Sequence, residues 1–147
     1  MSTVLKGAKL IDPDKGIVPD VTLVIRDGLI KEIGPSREVV IPEDSTCYPV
    51  DGKFIIPGLI DTHVHLDLHG MSDTYHESLV EDKLRAIRAS REMSNTVRAG
   101  ITTVRNAGSA NYIDIAVRNA VLEGLVLGPR ILASGKIICM MTAGNEY

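Results

Sequence analysis

The chain contains no tryptophan, one phenylalanine and four tyrosines among its 147 residues. A core of this composition has to be built from Val, Ile, Leu and Ala, the side chains favoured in parallel strands covered on both faces. The two cysteines, Cys47 and Cys139, belong to no C-x-x-C pair. They therefore indicate neither a disulfide framework nor a thiolate metal site, and they suit a reducing compartment. The start has no basic segment leading into an apolar stretch, and no run approaches the roughly 20 apolar residues of a membrane span. The expectation is a cytoplasmic protein without a membrane partner. Positive charge is also scarce: 16 basic residues against 19 acidic ones give a net charge of -3. The basic residues are scattered, which is not the footprint of a nucleic-acid binder. The series Arg85, Arg88 and Arg91 recurs every three residues and reads as one solvated helical face.

What is present is a hydrophobic content of 44%, sufficient for a globular core. The first 57 residues read as short strands broken by turns. Residues 21–26 and 29–33 flank Asp27-Gly28, a dipeptide suited to a two-residue type I′ hairpin. Weaker strands are expected near residues 4–11, 38–41 and 46–50. After Pro57-Gly58 apolar runs alternate with helical periodicity, the βαβ grammar of a parallel sheet. Strands are expected at 58–65, 101–105 and 130–134, with helices from about 77 to 99 and from 112 to 123 closed by Gly100 and Gly124. Leu79, Val80, Leu84, Ile87, Met93 and Val97 are the apolar positions of the first helix.

Alternation along the first of these strands puts Asp61, His63 and His65 on one face and Thr62 and Val64 on the other. Two imidazoles at i, i+2 can reach one ion, and neutral imidazole nitrogen is a good ligand for zinc and similar metals. The same spacing also describes a polar histidine pair at a sheet edge. Asp67 reads as a loop or capping carboxylate, and His69 and His76 as exposed loop histidines with substrate contact as the alternative. Arg105 and Asn106 stand at the end of the second strand, and Ser134 and Lys136 lie near the third. No G-x-S-x-G elbow accompanies Ser134. Met140 and Met141 read as packing residues.

The segment Phe54-Ile55-Ile56-Pro57-Gly58-Leu59-Ile60-Asp61-Thr62-His63-Val64-His65 resembles the entry to the first barrel strand of the amidohydrolase superfamily. Gly100-Ile101-Thr102-Thr103-Val104-Arg105-Asn106 and Gly128-Pro129-Arg130-Ile131-Leu132-Ala133-Ser134-Gly135 are similar to its second strand and to the approach and third strand. These two favour the subgroup related to imidazolonepropionase and zinc-dependent prolidase-like dipeptidases, although that subgroup often has an acidic residue where Asn106 stands.

The resemblance implies an α/β fold in two parts. Residues 1–57 would be the amino-terminal part of a small β-sandwich, and residues 58–147 the first three strands of a TIM-like (β/α)8 barrel. A closed barrel takes roughly 250 residues, and 90 follow Pro57, so the barrel is expected to be incomplete. The resemblance further implies one or two divalent ions, zinc by preference, that lower the pKa of a bound water and polarise a carbonyl. His63 and His65 match the pair holding the more buried ion. The carboxylated lysine, two further histidines and the catalytic aspartate belong to later strands, beyond residue 147. The implied reaction is hydrolysis of a C-N bond in a small amide, cyclic amide or dipeptide such as Xaa-Pro, with the isolated chain inactive for want of ligands. A non-catalytic scaffold or interaction fragment is the alternative. An incomplete barrel exposes apolar surface, so a homo-oligomer or a complementing chain is the expected partner.

Overall fold

In the computed structural model, which describes residues 1–68 and 79–138, Asp27 and Gly28 have φ of 53° and 72°. Both central positions of the turn are left-handed, as a type I′ hairpin requires. The strands it joins are β2 (Gly16–Arg26) and β3 (Leu29–Pro35), and β2 is antiparallel to β1 (Ser2–Asp12) as well. At the β1–β2 turn the Asp12 carboxylate accepts the backbone N–H groups of Lys15 and Asp14, each at 2.9 Å. Lys15 N–H first and Asp14 N–H second hold the Asp12 pKa below the usual carboxylate value. The stability this adds is full above the ordinary carboxylate range and is lost as pH falls through the lowered value.

The other edge of β1 is shared. Parallel strands β4 (Ser45–Pro49) and β5 (Phe54–Ile55) pair with Ser2–Lys6 and Lys9–Leu10 respectively, giving a five-stranded sheet. Cys47 lies exposed on β4. Residues 38–41 do not form the weak strand expected of them. Glu38 and Val39 both donate to the Pro35 carbonyl, at 2.8 and 3.3 Å, and close a turn. Val39 then packs as a plug with Val4 and Val24, which places its side chain without any strand pairing.

The chain divides into two units at Pro57 and Gly58. In the second, β6 (Leu59–Val64), β7 (Ile101–Asn106) and β8 (Arg130–Leu132) form a parallel sheet in that order. Helix α1 (Asp82–Arg98) connects β6 to β7, and α2 (Ile113–Leu122), entered by a 3-10 turn at Ala110–Tyr112, connects β7 to β8. Asp82 and Arg98 sit in the first and last turns of α1 and complement its dipole. The core joins Leu66, Ala89, Met93, Val104, Ile113, Val117 and Ile131. The buried row of α1 is Arg85, Ala89 and Met93, an i, i+4, i+8 stripe. Leu79, Leu84 and Ile87, expected on the apolar face, are instead exposed. Arg85 is the reason for the shift: it is 6% exposed, because a carboxylate waits for it under the helix. It does not share the solvated face expected of the arginine series. No helix among the described residues is long and apolar enough to cross a membrane. His69, His76, Cys139, Met140 and Met141 lie outside the described residues.

Gly7 sets the register of the first sheet. It sits in a bulge of β1, at φ 81°, where the edge partner changes from β4 to β5. The intervening 50–53 turn bonds back through Val50 N–H to the Lys6 carbonyl at 2.9 Å, and an added Cβ at Gly7 would run into the Asp51 carboxylate. Gly16 has a similar φ of 74° but open space around it. Gly16→Ala is expected to cost about 1–2 kcal/mol of left-handed strain, and Gly7→Ala more than that. Urea unfolding of the two variants checks this; equal losses would remove the role given to the Asp51 contact.

Candidate metal centre

β6 ends at Val64, one residue before the second histidine. Val64 packs on the helix-side core, so His63, its neighbour in the alternation, points to the opposite face and is exposed. The Asp61 carboxylate turns back on its own strand and accepts His63 N–H at 3.1 Å. His65 follows the strand, and its carbonyl accepts Leu68 N–H at 3.1 Å as the chain turns. The two imidazole rings meet edge to face, with centroids 5.4 Å apart and planes at 71°. His65 Nδ1 lies 2.9 Å from the Gly108 carbonyl oxygen. A carbonyl can only accept, so the neutral ring carries its proton on Nδ1 and leaves the Nε2 lone pair free. Among the described residues no third His, Cys, Asp or Glu joins the pair.

Asp67 takes no part in this face. It is 1% exposed and its Oδ2 receives Arg85 Nη2 at 2.6 Å and Ala110 N–H at 3.1 Å. Among the described residues Asp67 Oδ1 and Arg85 Nε have no partner. The carboxylate therefore joins the end of β6 to α1 and to the turn after β7.

Arg105 is exposed, on the face of β7 opposite the buried Val104 and Asn106. Its Nε donates to the Thr62 carbonyl at 2.7 Å, which lays the guanidinium across to β6. Asn106 is 1% exposed and faces the interior, where its Oδ1 accepts Leu66 N–H at 3.1 Å. Ser134 contributes its backbone N–H to Asp114 Oδ2, at 3.0 Å. Lys136 Nζ stands 5.8 Å from the Tyr112 ring centroid. The proximity of the two histidine rings was legible in the sequence. The importance of Asp114 was not, because an acid in the first turn of a helix is an ordinary dipole partner, and its partners Ser134 and Gly135 are remote in sequence.

Residues 54–145 match the Amidohydrolase family. A dihydroorotase of Trichlorobacter lovleyi is 32% identical over 128 residues, which are 84% of this chain and 28% of that protein. A solved Xaa-Pro dipeptidase with bound methionine in its active site has a TM-score of 0.83 and 29% identity, over 94% of this chain and 34% of that one. A solved prolidase complexed with N-methylphosphonate-L-proline has a TM-score of 0.80 and 34% identity, over 92% of this chain and 32% of that one. The chain thus spans about a third or less of the length of these relatives. The three parallel strands of the second unit correspond to part of the TIM-like barrel of such structures.

The Asp67–Arg85 pair gives the first test of this end of the sheet. Arg85→Met leaves a buried carboxylate with one backbone donor among the described residues, and its expected cost is about 3–5 kcal/mol. Replacing both partners, as Asp67→Leu with Arg85→Met, should restore much of that. Chemical unfolding of the single and double variants measures it, and a single-variant loss below about 1 kcal/mol, the level of an exposed pair, would contradict the burial described.

Proposed function

The chain belongs to the amidohydrolase family, and from that premise we propose that it supplies His63 and His65 as metal ligands to a hydrolase of C-N bonds in small amides, cyclic amides or dipeptides such as Xaa-Pro. The observation that carries this reading is the geometry of the two rings. Two imidazoles bound to one tetrahedral ion at about 2.0–2.1 Å have ring centres roughly 5 Å apart, and these stand 5.4 Å apart. The donor set therefore fits a divalent ion of the zinc type, with His65 offering Nε2 from a ring already anchored at Nδ1.

The chemistry such an ion supplies is activation of water and polarisation of a carbonyl. The chain's own residues orient the ligands. Asp61 fixes the backbone at His63, and Gly108 fixes the His65 ring. Arg105 lies on the same sheet face as His63, where its remaining N–H groups suit a carboxylate on the substrate. Two imidazoles are one protein ligand short of the three typical of catalytic zinc. The rest of the set, and the proton-transferring carboxylate, are assigned on the family resemblance to strands later than the three described or to another chain.

Zinc titration of the purified chain, followed through the ring signals of both histidines by NMR, tests the assignment. Both rings should shift together, and His63→Ala or His65→Ala should weaken zinc by more than the roughly 10–100-fold of an outer-shell change. Rings indifferent to zinc would sink the reading and favour a non-catalytic scaffold. Assayed alone, the 147-residue chain should not hydrolyse an Xaa-Pro dipeptide with or without zinc; metal-dependent turnover at the intact mass would overturn the assignment of the missing ligands.

A further inference from the structure

We propose that Asp114 is a positioning residue for the histidine pair. Through Asn106 and the turn at residues 107–110, it holds His65 in the tautomer that presents Nε2. The inference deepens the reading of His65 as a ligand and rests on it.

Asp114 is fully buried, and among the described residues no cationic side chain pairs with it. Its Oδ2 receives three N–H groups: Asn106 Nδ2 at 3.0 Å, Ser134 N at 3.0 Å and Gly135 N at 2.9 Å. Its Oδ1 receives Ile115 N–H at 2.9 Å. Four donors and the positive end of α2 satisfy an acceptor-only carboxylate. Burying one is costly even so, and an apolar side chain would anchor α2 to the sheet at less expense. What Asp114 adds is placement, because its donors come from the ends of two different strands and from its own helix.

Asn106 passes that placement to β6. With Nδ2 committed to Asp114, its Oδ1 faces Leu66 N–H, the peptide next to His65. The following turn completes the grip: Ala107 N–H binds the Val64 carbonyl at 2.8 Å, and Ser109 N–H binds the Gly135 carbonyl at 2.9 Å. Gly108 sits between them at φ 145°, where an added Cβ would come within 2.8 Å of the Ile137 Cα. Its carbonyl is consequently held against His65 Nδ1. The backbone on both sides of His65 and the ring itself are thus referred to one buried carboxylate.

A merely structural role for Asp114 would lower stability and leave the ring alone, so the ring is what to observe. Nitrogen-15 NMR of the metal-free chain, above the imidazole titration range, reports the His65 tautomer directly. The wild type should show the Nδ1–H form alone. Asp114→Asn and Asn106→Ser should show a mixture of tautomers and bind zinc about 10–100-fold more weakly. Val117→Ala, a cavity on the same helix, serves as the control and should lose stability while keeping one tautomer and its zinc affinity. If Asp114→Asn does not fold, Asn106→Ser, which removes only the link, decides the matter on the same signals. A single tautomer with unchanged zinc affinity in the folded variants would overturn the positioning role. Wild-type rings that ignore zinc would instead overturn the ligand reading, and the tautomer comparison would still decide what Asp114 does.

Discussion

A parallel sheet leaves its strand ends unfinished, because each ladder stops with backbone groups that the neighbouring strand no longer reaches. In this chain the hydrogen bond from Leu66 N–H to the Asn106 carboxamide closes that gap between β6 and β7. It does so on the helix side of the sheet, just past His65, and the rest of the site is arranged around it. The same amide's other end meets Asp114, so the ends of β6, β7 and the segment after β8 converge on one buried carboxylate. Backbone ladders set which strands are neighbours; these side chains set where the strands stop and which way the next residue faces.

A second buried carboxylate, Asp67, works differently. Asp114 is met by backbone and amide donors, while Asp67 is met by a guanidinium from α1. Removing both charges of such a pair can be nearly neutral, so the pair is weak evidence for stability and better evidence for register. Its contact with Ala110 N–H ties α1 to the same turn that carries Gly108. The turn is therefore braced from α1 as well as from the segment after β8, and the carbonyl facing His65 has little freedom to move.

This division explains what could be read in advance. Asp27-Gly28 was legible because its turn chemistry is local, and the β6, β7 and β8 runs because β-branched density is local too. His63 and His65 were legible because alternation alone puts i and i+2 together. The face of α1 was not. Leu84 and Ile87 carry the apolar signal, but the electrostatic partner of Arg85 lies 18 residues earlier and turned the helix to suit itself. The 38–41 segment failed for a related reason, since the two bonds to Pro35 fix a turn that β-propensity does not register. Asn106 and Asp114 look unremarkable in sequence, and their role exists only once Leu66, Ser134 and Gly135 have been brought to them.

The two solved relatives share this chain's fold at about 30% identity, and they and the dihydroorotase bear names that differ in substrate. That pattern is what the physics of the site leads one to expect. If the histidine pair holds an ion as proposed, its Gly108 anchor and the buried relay would act on the orientation of the rings, a requirement common to any substrate whose carbonyl is to be polarised. Substrate choice in a barrel rests on loops at the strand ends, gathered from several strands. Of the groups described at these ends, Arg105 alone stretches across the exposed face from one strand to the next, held at Nε by the Thr62 carbonyl. A guanidinium anchored at one nitrogen keeps its remaining donors in a fixed plane. On the proposed reading, Arg105 is thus the described side chain placed to meet a substrate group, and the buried network behind the histidines is what orients their rings.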